Sequence, residues 1–225
     1  MRLNKFIAGA SGKSRREADD LIAAGRVMID GTVANLGARV PDGSIVALDG
    51  KPLSLPAART LIALHKPVGY VSSRRAQAKN ATTLYELLPE KYRTLKTVGR
   101  LDSDSSGLIL LTDDGDLAFQ MTHPKFSKTK VYQVRIDKPL EPLHQQMIAD
   151  FGINLPDGRS KLILEKIDDD RRHWRVIMHE GRNRQIRRTF SAVGYDVCEL
   201  HRTNFGNFAI GNLKPGEYRV IECPK

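Results

Sequence analysis

Residues 98–117 read V-G-R-L-D-S-D-S-S-G-L-I-L-L-T-D-D-G-D-L, from Val98 to Leu117. A polar, turn-forming segment from Arg100 to Gly107 runs directly into the aliphatic block Leu108-Ile109-Leu110-Leu111. The block is short and bounded by turn residues, which predicts a buried strand rather than a helix. An acidic loop pinned to a buried strand is a place to hold one carboxylate in a fixed pose. Two other readings compete. Asp102, Asp104, Asp113, Asp114 and Asp116 could be solvated loop residues only. Alternatively, Asp102, Asp104, Ser106, Gly107, Ile109 and Asp113 track most of an EF-hand calcium loop. Against calcium, the last ligand is Asp rather than the longer bidentate Glu, and Leu110 falls at a polar position. The flanking amphipathic helices are also replaced by Gly99 on one side and the Leu108 block on the other.

The pattern G-R-L-D-x-x-x-x-G-L-x-L-L-T-x-D-G from Gly99 to Gly115 is similar to the active-site signature of bacterial rRNA pseudouridine synthases of the RsuA, RluB and RluF type. The resemblance implies that Asp102 is the catalytic residue.

Composition narrows the class independently. The chain has 225 residues, enough for one large domain or two small ones with an ample core. Lys and Arg number 36 against 26 Asp and Glu, a net charge of +10, which points to a polyanionic partner. No basic amphipathic stretch dominates, the aliphatic runs are too short to span a bilayer, and no apolar signal core follows Met1. No membrane association is expected. Cys198 and Cys223 show no pairing pattern and are expected to be reduced and half-buried, which fits the cytoplasm. None of the six histidines lies in a zinc-binding spacing, so no metal is expected.

At the N-terminus, Leu3, Phe6 and Ile7 recur at helical spacing, and Gly9 and Gly12 are expected to break that helix. Ser14-Arg15-Arg16-Glu17 is a capping box opening a second helix that carries Ala18, Leu21 and Ile22 inward and stops at Gly25. Asp30-Gly31 and Asp49-Gly50 then separate β-rich runs, the usual hairpin signal. Gly9 to Ser14 ends like a P-loop, but Ile7 replaces the first required glycine and the stretch follows a helix, so nucleotide binding is not expected. R-L-N-K-F-I-A, S-R-R-E-A-D-D-L-I-A-A-G-R-V and the following I-D-G resemble the S4 RNA-binding domain. That likeness implies RNA contacts from Lys13, Arg15 and Arg16 at the second helix's start, where exposed amides also favour phosphate. Read without it, these are an ordinary charged face.

Ser54 to Arg59 is short and contains proline, marking a boundary. The expected organisation is an S4-like domain at 1–55, a linker at 56–60 and a catalytic domain at 61–225. The fold class is α+β, with a mixed, mainly antiparallel sheet in the second domain. Leu61 to Leu64 reads as a buried strand leading to Lys66-Pro67-Val68-Gly69, a turn that is also a feature of the synthases. Thr83 and Glu86 cap a short helix, and Asp114-Gly115-Asp116 opens another through Leu117, Phe119 and Met121. Thr129 to Ile136 alternates as a strand, Pro142 to Phe151 is helical, and Lys161 to Ile167 pairs with Trp174 to Met178. A strand tyrosine such as Tyr132 is by default part of a core. However, the K-x-Y triplet Lys130-Val131-Tyr132 resembles the family's second motif, whose tyrosine packs on the target uracil.

In Glu180 to Phe190, Ile186, Phe190 and Val193 share one helical face while Arg184, Arg187 and Arg188 share another. Four arginines so close, with no acid among them, imply an external anion or a buried carboxylate. E-G-R-N-R-Q-I-R-R resembles the third motif, in which the arginine after Gln-Ile, here Arg187, pairs with the catalytic Asp. Arg202 to Gly206 and P-G-E-Y-R from Pro215 extend the likeness over the whole chain.

The resemblance therefore implies isomerisation of uridine to pseudouridine in ribosomal RNA or a pre-ribosomal particle by a monomeric enzyme. The chemistry involves no redox change and admits no external group, so no cofactor is expected. Asp102 would act on the sugar's anomeric carbon or as a base that lets a glycal form, with Arg187 keeping it ionised and aimed. Tyr132 would stack on the uracil. Arg100 would fill the space left by a flipped uridine. Lys130, Arg182, Arg184 and the N-terminal module would supply RNA contacts. The S-R-R-E-A and E-G-R-N-R-Q-I-R-R stretches resemble large-subunit (23S) enzymes, which is the expectation taken. The chain's brevity, L-H-R and P-G-E-Y-R resemble the small-subunit (16S) enzyme. A non-enzymatic S4-type ribosome-assembly protein remains the competing class, and it leaves Asp102, Tyr132 and Arg187 unexplained.

Overall fold

The computed structural model describes residues 1–56, 58–74 and 81–221. Ala57 of the expected linker and Cys223 lie outside the described residues. Backbone contacts group Met1–Thr60 with Asp113–Gly115 in one unit, and Leu61–Thr112 with Asp116–Ile221 in the other.

Local chemistry builds the first unit. Helix α1 (Leu3–Ser11) ends where Gly12 turns left-handed at φ 71°. Gly9 does not break it, contrary to expectation: it lies inside α1, with no left-handed φ, and a Cβ there would stand 3.0 Å from the Leu55 side chain. The glycine leaves packing space rather than making a turn. Helix α2 (Arg15–Ala23) starts in a complete capping box. Glu17 N–H donates to Ser14 Oγ and Ser14 N–H to the Glu17 carboxylate. Such a cap contributes on the order of 1 kcal/mol. Four short strands follow: β1 (Val27–Ile29), β2 (Thr32–Val33), β3 (Val46–Leu48) and β4 (Lys51–Leu53). Both Asp-Gly pairs take positive φ at both residues, the condition for the tight hairpins β1–β2 and β3–β4. Leu3, Ile7, Ala18, Ile22, Val27 and Val46 close this unit's core.

The second unit is built on a nine-stranded sheet with helices, so the chain is α+β. Its strands are β5 (Leu61–Lys66), β6 (Lys96–Val98), β7 (Ser106–Thr112), β8 (Lys130–Ile136), and, after the separate hairpin β9 (Ile153–Leu155) with β10 (Gly158–Ser160), β11 (Ile163–Lys166), β12 (His173–Met178), β13 (Val197–Phe205), β14 (Phe208–Ala209) and β15 (Tyr218–Ile221). The order is β11-β12-β8-β13-β7-β5-β15, with β14 on β13 and β6 on β7. Every pairing is antiparallel except β13 with β7. The aliphatic block Leu108 to Leu111 lies inside β7 and is fully buried, as its composition requires. Helices α3 (Gly115–Thr122), α4 (Pro142–Gln146), which continues as a π turn to Phe151, and α5 (Gln185–Ser191) complete the unit. Trp174, Phe190, Ile136 and Leu140 are completely buried in its core. Cys198 is exposed rather than half-buried, because its place on β13 faces solvent. Among the described residues, no helix is long and apolar enough to cross a membrane.

The parallel β13–β7 contact is unusually close. Gly107 has φ +109°, and a Cβ there would meet the Arg202 carbonyl oxygen at 2.3 Å and its nitrogen at 2.5 Å. Gly107→Ala must therefore separate the two strands. We expect a loss of at least about 3 kcal/mol, which thermal unfolding would register as a drop of roughly 6–12 °C.

Candidate active site

A run of hydrogen bonds from the Lys66-Pro67-Val68-Gly69 turn fixes the acidic loop. Lys66 Nζ donates to the Ser105 carbonyl at 2.7 Å and to that of Pro67 at 2.9 Å. Gly69 N–H donates to the Ser103 carbonyl at 2.7 Å. Ser72 Oγ donates to the Leu101 carbonyl at 2.7 Å and accepts from Leu101 N–H at 3.2 Å. Ser105 N–H closes the turn on the Asp102 carbonyl. The loop is thus over-determined by backbone contacts on both sides of Asp102. Lys66 is completely buried. Burial pulls its pKa down to about 8, with the charges of Asp104 and Asp102 working against that, so it stays protonated at neutral pH.

Charge pairing crosses from α5 to this loop. Arg184 Nη1 donates to Asp102 Oδ2 at 3.4 Å, and its Nη2 to Asp104 Oδ2 at 2.9 Å. The pairing expected between Asp102 and Arg187 is not the one formed. Arg187 donates instead to the carbonyls of Asp104 at 2.8 Å and Val197 at 2.7 Å, with Ser105 Oγ at 3.4 Å. Its Nε lies 3.3 Å from Asp104 Oδ2. The cause is the start of α5: Arg184 takes a left-handed conformation at φ 46° at the N-cap, while Arg187 lies within the first helical turn. Partial burial works to raise the Asp104 carboxyl. The hydrogen bond from Arg184 and the charges of Arg187 and Arg184 outweigh it and hold the group below the usual carboxylate range.

Asp102 opens on a cleft of roughly 630 Å³ that is also lined by Tyr132, Arg100, Lys130, Arg182 and Arg184. Of the second unit's residues expected to have a catalytic or RNA-binding role, only Arg187 lies off this lining. Tyr132 reaches the cleft from β8 with 7 % of its surface exposed, so the core and functional readings of it are compatible. Arg100 is exposed at the mouth. Lys130 Nζ donates to the Glu180 carbonyl at 3.2 Å and stands 5.2 Å from the Phe205 ring centroid. Burial, with the neighbouring charge of Arg202, lowers its pKa against the pull of Glu180. Arg182 is occupied internally. It donates to the carbonyls of Gly158 and Arg159 and pairs with Asp157 and Glu180, both at 3.1 Å. It braces the wall of the cleft rather than offering an open guanidinium.

Two contributors were named from sequence only as parts of family motifs, with no role in the site. Lys66 carried a signal, a lysine closing the otherwise apolar strand L-I-A-L-H-K. Arg202 is 2 % exposed, lines the cleft, donates Nε–H to the Leu108 carbonyl at 2.8 Å and lies over Phe205 at 4.9 Å. Its sequence gives no hint of burial. Lys13, Arg15 and Arg16 are exposed around the start of α2 in the first unit. Among the described residues, one group could offer metal ligands: Asp168, Asp170 and His173 at the β11–β12 turn. There His173 Nδ1 contacts Asp168 Oδ2 at 2.6 Å, an ion-pair distance, and none of the three lines the cleft.

The arrangement offers a fixed carboxylate, an aromatic face and several cations around a cleft large enough for a nucleoside. Comparison with known proteins supplies the family. The sequence profile of RNA pseudouridylate synthase matches residues 60–192, and that of the S4 domain matches residues 1–46. An uncharacterized RNA pseudouridine synthase of Aquifex aeolicus is 37 % identical, over 98 % of this chain and 92 % of its own length. The ribosomal small subunit pseudouridine synthase A of Yersinia pestis is 37 % identical over 98 % and 94 %. The protein of that name from Vibrio parahaemolyticus is 34 % identical over 98 % and 96 %. A crystal structure of a pseudouridylate synthase superposes with a TM-score of 0.70 at 31 % identity, covering 98 % of this chain and 96 % of that one.

Proposed function

This chain belongs to the RNA pseudouridylate synthase family and carries an S4 domain at its N-terminus, and from that premise we propose that its substrate is a uridine of ribosomal RNA and that Asp102 is the catalytic group. The observation that carries the reading is the position of Asp102. It sits on a loop anchored by Lys66, Gly69 and Ser72, paired with Arg184 and open to the cleft that Tyr132 lines. The isomerisation breaks the N1–C1′ bond, turns the uracil and rejoins it through C5. An ionised carboxylate acting at the sugar, either by attack on C1′ or by removing the proton that lets a glycal form, is what that sequence requires. In this reading Tyr132 stacks on the uracil, and Arg184 holds Asp102 aimed. Arg187 acts one step removed by fixing the backbone at Asp104. Arg100 occupies the gap left by the extruded base, at an unstacking cost of a few kcal/mol. Lys130 meets the RNA inside the cleft.

We read residues 1–55 as the RNA-binding domain, 56–60 as the linker and 61–225 as the catalytic domain. The names of the relatives favour small-subunit RNA over the large-subunit RNA expected from the arginine-rich motifs. Carbodiimide mapping of 16S and 23S rRNA treated with the purified protein tests this. A single new stop in 16S rRNA is the expected result. A stop confined to 23S RNA overturns the subunit assignment, and no stop in either overturns ribosomal RNA as substrate.

Lys13, Arg15 and Arg16 supply phosphate contacts, which position the RNA without reading it. Arg15→Ala with Arg16→Ala should weaken rRNA binding and lower the slope of log affinity against log salt by about 1.5. An unchanged slope in a filter-binding titration would mean that this face does not touch RNA.

A further inference from the structure

The end of α3 and the turn after it present aromatic rings that the core does not use. Phe119 is 47 % exposed and Phe126 37 %. The Phe119 centroid lies 4.7 Å from that of His123 and 5.9 Å from that of Phe126. Lys125 Nζ stands 5.3 Å and 4.7 Å from the two phenylalanine centroids. The cluster is braced locally. His123 Nδ1 accepts from Lys125 N–H, residues 124–126 form a 3₁₀ turn, and Ser127 closes it in the left-handed region at φ 45°. Single exposed apolar residues are ordinary, but a contiguous aromatic group marks a contact surface. This one continues the active-site cleft, whose lining includes His123, Pro124 and Lys128.

We propose that Phe119, His123 and Phe126 form a stacking site for an unpaired RNA base flanking the target uridine, with Lys125 beside the adjoining phosphate. The inference deepens the reading of the cleft as an RNA site and rests on it. Every nucleobase has two π faces, and aromatic side chains with an interleaved cation are the usual means of holding a single strand without reading its sequence. A strand whose uridine enters the cleft leaves its neighbour at the rim, where these rings lie. The net charge of +10 and the absence of acidic residues between Leu117 and Glu141, apart from Asp137, suit a polyanion.

The test uses the full chain in two paired variants: Phe119→Leu with Phe126→Leu, which keeps apolar bulk but removes the rings, and Phe119→Trp with Phe126→Trp, which keeps them. Affinity for a mixed-sequence single-stranded RNA of about twelve nucleotides is read by fluorescence anisotropy. Tritium release from rRNA labelled at uridine C5 is followed in parallel, and thermal melting controls for folding. The leucine pair should bind about tenfold more weakly, the scale of one base–aromatic stack, and raise KM while kcat and melting stay unchanged. The tryptophan pair should bind at least as tightly as the wild type. Unchanged affinity in the leucine pair, or equal loss in both pairs, overturns the stacking site. If the wild type itself releases no tritium, the proposed function fails instead, and the affinity comparison still decides the stacking site.

Discussion

Asp102→Asn is expected to abolish tritium release from C5-labelled rRNA, lowering the rate by at least about 10⁴-fold, the scale on which losing a bond-making group registers. The amide keeps the shape of the side chain and can still meet Arg184, so the loop's anchors at Lys66, Gly69 and Ser72 are untouched. The Asp102 side chain is 30 % exposed and its contact with Arg184 is long at 3.4 Å. Such a partly solvated pair contributes no more than about 1 kcal/mol, so melting should move by only a few degrees. RNA affinity should also hold, because one carboxylate amid Arg100, Lys130 and Arg184 repels phosphate if anything. Residual turnover near the wild-type rate would remove Asp102 from the mechanism. Lost affinity together with lost melting temperature would recast it as a structural residue.

Arg187→Ala should damage both activity and stability, whereas Arg184→Ala should damage activity alone. Arg187 has 13 % of its side chain exposed and joins the Asp104 and Val197 carbonyls, so it ties the acidic loop to the start of β13. Truncation leaves two carbonyls and Asp104 short of charged donors, at a cost of roughly 2–4 kcal/mol. Melting should fall by about 5–15 °C. The released loop should lower kcat by about 10², the effect of misplacing a reacting group by an ångström. Arg184 is 42 % exposed, and its two carboxylate contacts are solvated. Arg184→Ala should therefore leave melting within a few degrees while lowering kcat. Circular-dichroism melting beside single-turnover kinetics separates the two. If Arg184→Ala unfolds the protein and Arg187→Ala does not, the division of labour between the arginines is reversed.

How much of this was legible depended on the range of the interaction. The Ser14–Glu17 box and the two Asp-Gly turns are local, and each took the conformation its residues demand. The β7 strand followed from Leu108 to Leu111 alone, since a fully aliphatic run between turns has nowhere to go but inward. Gly9 shows the limit. It sits within α1 and leaves room for Leu55, a neighbour more than forty residues away that the local sequence does not show. The arginine run showed that an anion or carboxylate was needed but not which guanidinium would face it, because that turns on where α5 begins and on one left-handed residue. Nor could spacing reveal that Arg182 is consumed by Asp157, Glu180 and two carbonyls, or that Lys66 and Arg202 are buried. Polar residues enter a core only where distant backbone supplies their partners.

The parallel seam between β7 and β13 has a bearing on how much of the chain the loop depends on. Arg187 meets Asp104 across 83 positions, and Arg202 meets Leu108 across 94. A chain that stops before Val197 already holds Asp102, yet lacks the strand that pairs with β7 beside its loop. Contacts so remote along the chain carry the entropy cost of closing long loops. A chain truncated before Val197 is therefore expected to leave that loop untied, and to have no activity on RNA.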